Sequence, residues 1–164
     1  LRSPTETDAR ETVYNEIDTT VTAIQNGETP LSYIARPKGM SKPPAEYGSP
    51  SNTPLPTYRG ANYANQHFAW ENMEAGSKPQ LLYISTVRGD WPRTYTADTR
   101  EGGRQVDAVA VTDVTKLPDD FVVDTEKMIE KTITDALQPI LSPFGWSVAE
   151  AVAETTQGSL HQYM

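Results

Sequence analysis

The chain has 164 residues, enough for one core of ordinary domain size. Its 22 acidic and 14 basic residues give a formal net charge of -8 at pH 7, which argues against a polyanion-gripping surface, because neutralising phosphates takes clustered Lys and Arg. The complete lack of cysteine excludes a disulfide framework, a thiolate zinc site and a cysteine nucleophile.

No apolar run approaches the length of a membrane span, and the segment from Leu1 to Arg10 is polar. The expectation is a protein with no membrane partner that assembles in the cytoplasm. The first periodic element has Val13, Ile17, Val21 and Ile24 spaced by four, four and three, one stripe of a helix. Asp8 with Glu11 is a capping pair and Asn26-Gly27 a left-handed stop, so the helix is predicted over about 8 to 26.

From Pro30 to Thr57 the chain carries seven of its 13 prolines. Proline neither donates to a ladder nor continues a helix, so residues 30–66 read as an extended Pro/Tyr-rich arm or loop. Tyr33, Tyr47, Tyr58 and Tyr63 are interleaved through it. Aromatics on an extended proline-rich segment can lie on a neighbouring protein at little ordering cost, which makes Tyr33, Tyr47 and Tyr58 candidate partner-binding residues. A solvated linker with incidental tyrosines is the plain alternative.

Lys78-Pro79 leads into the strongest strand, Gln80 to Arg88, whose Leu81, Leu82, Tyr83, Ile84 and Val87 predict a central position. Gly89-Asp90 ends it, and Thr94-Tyr95-Thr96 is a short returning strand before a turn at Gly102-Gly103. Gln105 to Val114 alternates in the manner of an antiparallel strand covered on one face. After Pro118, Asp124 caps a second helix with Ile129, Ile133, Ala136, Leu137 and Ile140 on one face, bent or ended by Pro139. Trp146, Val148 and Val152 alternate with small and acidic residues, a last strand. The order predicts a single α+β domain over 1–164: a small, mostly antiparallel sheet packed against two helices, with a long proline-rich arm or loop.

Signatures of catalysis are missing. His67 and His161 have no partner at metal-ligand spacing, and no Gly-x-Ser-x-Gly elbow or phosphate-cradling loop occurs. A metal-dependent nuclease would use Asp107 with Asp113 and Lys116, but Asp113-Val114-Thr115-Lys116 puts one residue too many between acid and lysine. Asp119, Asp120 and Asp124 lack the alternating oxygen ligands and glycine of a calcium loop. No catalytic residue, cofactor or metal is expected. Arg88, Arg93, Arg100 and Arg104 cluster around the predicted hairpin with Trp91 and Tyr95 between them, beside Asp90, Asp98 and Glu101. This near-balanced set suits a subunit contact better than nucleic acid, and the interface candidates are Arg88, Trp91, Arg93, Tyr95 and Arg104.

Three segments together carry a resemblance: His67-Phe68-Ala69-Trp70-Glu71-Asn72-Met73, then Lys78-Pro79 before Leu81-Leu82-Tyr83-Ile84, then Gly102-Gly103-Arg104-Gln105-Val106-Asp107. The chain resembles the tail terminator, or tail-completion, proteins of long-tailed bacteriophages, over Ala9 to Val152 in element order. The resemblance implies a non-enzymatic structural virion protein of the tail or neck. Such a subunit forms a ring, commonly a hexamer, at the end of the tail tube. Its partners would be copies of itself, the tail-tube protein and the head-closure connector, with DNA only a passing, non-specific cargo. The acidic charge is compatible with a lumen to which the genome does not adhere. The Pro30 to Thr57 arm departs from the family pattern. A stand-alone protein-binding module, and behind it a metal-dependent nuclease, are the alternatives.

Overall fold

The computed structural model describes residues 4–47, 55–95 and 104–153. Helices and a small antiparallel sheet make an α+β fold, as the order of elements predicts. The chain is organised as two compact units. One unit joins Leu1–Thr29 to Thr125–Met164, and the other is Pro30–Asp124.

In the first unit, helix α1 spans Pro4–Gln25. Ile17, Val21 and Ile24 of the predicted stripe are buried, Val13 is half-buried, and Tyr14 joins the buried face. Gly27 follows with φ +73°, the left-handed geometry that glycine takes without Cβ strain.

The second predicted helix is continuous from 125 to 144 but changes pitch. It runs as α4 (Thr125–Ile129), a π-helical turn (Glu130–Thr134), α5 (Asp135–Leu141) and a 3-10 turn (Ser142–Phe144). A π turn holds more residues than an α turn, so the apolar stripe slips by about one position beyond it. Met128 and Ile129 are buried before the π turn, Ile133 within it and Leu141 after it. Ile140, expected on the same stripe, is 61% exposed, and Ala136 is exposed too. Pro139 lies inside α5 and does not end it.

The expected last strand at Trp146 to Val152 is instead a helix, α6, over 148–153. Val148 and Ala151 are buried three residues apart, a helical spacing that the alternation concealed. Ser147 and Glu150 stand at the positions of a capping box, and the Glu150 amide donates to Ser147 Oγ at 3.0 Å. The buried Tyr14 hydroxyl completes the box: it donates to Glu150 Oε2 (3.0 Å) and accepts from the Ser147 amide (3.2 Å). Its ring meets Trp146 edge-on, with centroids 6.4 Å apart. Tyr14→Phe should therefore cost about 1 to 2 kcal/mol, the loss of two part-buried hydrogen bonds at constant shape. A urea titration followed by tryptophan fluorescence reads it, and an unchanged midpoint would count against the bridge.

In the second unit the strand predicted as central is central. β2 (Gln80–Val87) pairs antiparallel with β1 (Arg36–Pro37), β3 (Ala108–Val111) and β4 (Phe121–Val123). The register sets Leu81 against both Arg36 and Ala110, and Val87 against Phe121, with an irregularity at Ile84/Thr86. β3 is shorter than predicted, and all four of its residues are buried rather than every second one. Successive strand side chains face opposite ways, so both faces of β3 are covered.

One of these faces meets a helix from the expected arm. Pro56–His67, assigned to the extended segment, forms helix α3. Pro56 takes the first helical turn, where a missing N–H is harmless. Three small residues of α3, Gly60, Ala61 and Ala64, are buried, and Gly60 faces β3. A Cβ at Gly60 would lie 2.9 Å from the backbone of Val109 and Ala110, so helix and strand meet backbone to backbone. The rest of the arm folds back as well. It supplies the short helix α2 (Leu31–Ile34), strand β1 and a 3-10 turn at Pro44–Glu46, with Ile34, Met40 and Pro44 buried. Residues 48–54 of the expected arm lie outside the described residues.

Candidate interaction surface at the hairpin and the arm

The predicted returning strand and its partner meet where the sequence placed them. Thr94 bridges Gln105, flanked by Tyr95 N to Arg104 O and Val106 N to Arg93 O, each 2.9 Å. The turn between them, with Gly102-Gly103, Arg100, Asp98 and Glu101, lies outside the described residues.

Asp107 anchors the base of this hairpin. Its Oδ1 accepts from Arg59 Nε (3.0 Å) and its Oδ2 from Arg59 Nη2 and Arg104 Nη2 (both 2.9 Å). The Arg59 side chain is only 9% exposed and that of Asp107 39%. Burial by itself raises the carboxyl pKa; hydrogen bonds from Arg59 and Arg104, then the Arg59 charge, overcome it and hold Asp107 at about 2. Burial likewise works against the Arg59 cation, but the Asp107 partner raises its pKa on balance. The Tyr95 hydroxyl lies 2.9 Å from Asp107 Oδ1 and 2.8 Å from Ala108 O, and accepts from the amides of Asp107 (3.1 Å) and Ala108 (3.0 Å). Burial, with the Asp107 charge, pushes its pKa well above the ordinary phenol value.

An aromatic cluster backs the network. Phe68 stacks on Trp70 (centroids 4.8 Å apart) and meets Trp91 and Phe121 edge-on. Tyr63 touches Phe68, Tyr95 and Phe121 and donates from its hydroxyl to Pro92 O at 2.6 Å. Burial raises its pKa to about 12.

The interface candidates therefore have different fates. Tyr95, 7% exposed, belongs to the interior, so its side chain is no contact surface; its hydroxyl organises the hairpin base instead. Arg104 is half-buried and paired with Asp107. Trp91 is half-buried, its indole N–H donating to Asp120 Oδ2 at 2.9 Å. Arg93 is exposed but holds the turn after β2, its guanidinium donating to Val87 O and Gly89 O. Arg88 is exposed, and its backbone amide continues the ladder to Asp120 O.

On the arm, Tyr33 is 78% exposed. Tyr47 and Tyr58 stack on each other, centroids 3.5 Å apart and planes 5° from parallel, with Lys42 Nζ 4.7 Å from the Tyr47 ring centre. Each thus presents at most one ring face outward. This pair ties the proline-rich segment to α3.

His67 is half-buried 4.5 Å from the Tyr63 ring, and burial lowers its pKa, favouring the neutral imidazole. His161 lies outside the described residues. Asp107, the acid required by a nuclease reading, is engaged by two guanidinium groups, while Asp113 caps the 3-10 turn at Val114–Lys116 through the Thr115 amide (3.0 Å). Among the described residues no cluster of His, Asp and Glu could hold a metal ion, and no helix is long and apolar enough to cross a membrane.

Sequence reasoning missed Arg59 and the buried Glu71. The latter's carboxylate accepts from the Thr112 amide and hydroxyl at 2.9 Å and fastens the segment after α3 to the end of β3. Arg104 lies three residues from Asp107, a spacing that could have signalled a local pair; nothing local pointed to Arg59, 48 residues away. No protein-family model matches the chain, and no curated protein matches it in sequence.

Proposed function

We propose that the protein is a structural virion subunit, a ring-forming tail terminator of a long-tailed bacteriophage. In this reading it sits at the tail-tube end, joins the tail to the head-closure connector and lets DNA pass. The observation that carries the proposal is the hairpin base. Asp107, Arg59, Arg104 and Tyr95 fix residues 93–95 and 104–106 as a braced ladder beside the exposed Arg88. A hairpin held at its base meets a neighbouring subunit with little further loss of conformational entropy, the condition for a modest contact to be stable. The resemblance in the 67–73, 78–84 and 102–107 segments supports the same reading, as does the net charge of -8 for a DNA-conducting lumen.

Native mass by light scattering across a concentration series, with negative-stain imaging of large species, tests it. Rings of a defined subunit number, commonly six in such proteins, are expected, either alone or on addition of tail-tube protein. A monomer under both conditions would sink the proposal. Arg88→Glu is the variant for the hairpin contact, because Arg88 is exposed and its side chain braces nothing described. It should weaken self-association about tenfold, the scale of reversing one rim charge, with an unchanged melting temperature.

A further inference from the structure

β2 runs on beyond its β3 partner. The two pair over Gln80–Tyr83, the last backbone bond being Ile84 N to Asp107 O at 2.9 Å. Residues 104–106 then turn to 93–95 instead. The divergence opens a cleft of about 170 Å³ lined by Ser85, Thr86, Val87, Arg93, Gln105 and Val106.

The lining contains one cation and no carboxylate. Arg93 has five N–H donors, and its bonds to Val87 O and Gly89 O hold the guanidinium in place while leaving donors over. No carboxylate among the described residues pairs with it. Thr86 and Gln105 are exposed, and neither side chain bonds another described residue, so a hydroxyl and a carboxamide stand beside the guanidinium as further donors. Ser85 is engaged, donating to Val122 O at 3.2 Å. At about 30 Å³ per water molecule, the space holds about six waters, the size of a carboxylate with its neighbouring carbons. A planar guanidinium matches a carboxylate, whereas a phosphate would call for more positive charge than one arginine supplies in a chain of net charge -8.

The geometry points to this cleft as a carboxylate-binding site, filled in the assembled protein by an Asp or Glu side chain of a second copy. This rests on the ring-forming reading above. With 22 acidic residues per chain, each copy has such side chains to offer, and a cleft at the hairpin base lies beside the surface proposed to meet a neighbour.

The test uses the full chain and succinate as the free carboxylate. Titrated with succinate, the Arg93 Nε–H and Gln105 side-chain amide resonances should shift in a saturable way, and not with sodium chloride at equal ionic strength. Thr86→Glu places a tethered carboxylate on the exposed lining. That variant should lose the succinate response and self-associate about tenfold more weakly, the loss expected when one interfacial charge pair is blocked. Succinate shifts no larger than those with chloride would overturn the site. A succinate response with undiminished self-association of Thr86→Glu would overturn the second copy as occupant while leaving the ring. A wild-type chain that binds succinate but stays monomeric, with or without tail-tube protein, would overturn the ring together with that occupant and leave a site for free carboxylates.

Discussion

Gly60→Ala should destabilise the protein by about 1 to 3 kcal/mol, although the same change in an exposed helix would stabilise it by about 1 kcal/mol through helix propensity. The sign turns on what the new methyl meets. At Gly60 it would lie 2.9 Å from Ala110 N and from Val109 C and Cα, all backbone atoms of a strand buried on both faces. No side chain can rotate away, so α3 must lift from β3 or the sheet must give. Gly60→Val adds two more methyls and should cost more still. Urea midpoints for the two variants, compared with wild type, check the ranking; a stabilised Gly60→Ala would show that helix and strand are not in backbone contact.

Asp107→Asn should remove about 2 to 3 kcal/mol at pH 7, because it takes away the negative charge that the Arg59 guanidinium, 9% exposed, meets at 2.9 Å. The acid dependence follows from the same group. Its folded-state pKa is about 2 against an ordinary value of 3.8. A depressed carboxyl stabilises the fold at pH values above the unfolded pKa, and that contribution is lost as pH falls through the folded one. The window therefore runs from about pH 4 down to about pH 2. The shift alone corresponds to roughly 2 kcal/mol, and with Asp107 39% exposed solvent screening reduces this to about 1 kcal/mol. Stability curves from pH 7 to 2 should show this loss in the wild type and a flatter acid limb in Asp107→Asn. Amide exchange should also quicken at Tyr95 and Val106, whose backbone bonds close the hairpin base. Equal acid limbs in the two proteins would remove Asp107 as the responsible group.

Elements whose own residues repeat at their own period were readable. α1 carried its stripe in Ile17, Val21 and Ile24, and β2 its apolar run from Leu81 to Val87. The hairpin ladder at Thr94 and Gln105 was readable too, since two short strands flank a Gly-Gly turn in the sequence. Helix α3 was hidden because, of its buried residues, Thr57 and Arg59 are polar and Gly60, Ala61 and Ala64 are only weakly hydrophobic, leaving Tyr63 as the one large apolar side chain. The value of Gly60 there is small size, which matters only once a strand is known to pass. α6 was hidden although the Ser147-x-x-Glu150 signal of a helix start is present: in so short a segment Val148 and Val152 fit either period, and the alternation of apolar with small and acidic residues mimics a strand.

The site divides in the same way. Arg88, Trp91, Arg93, Tyr95 and Arg104 were singled out by composition and nearness in sequence, and the structure does bring them to one hairpin. Composition could not separate Arg88, which is exposed, from Tyr95, which is buried, because both types are equally at home in an interface and in a braced core. By itself, then, the sequence determined the α+β class, the central strand, the first helix and the location of the arginine-aromatic hairpin, all of which follow from local pattern. Only the tertiary structure decided that most of the arm folds back, that β3 is covered on both faces, and that Asp107 is held by Arg59 from 48 residues away. Those features depend on which surfaces meet, and contact between distant segments leaves no period in the chain that makes it.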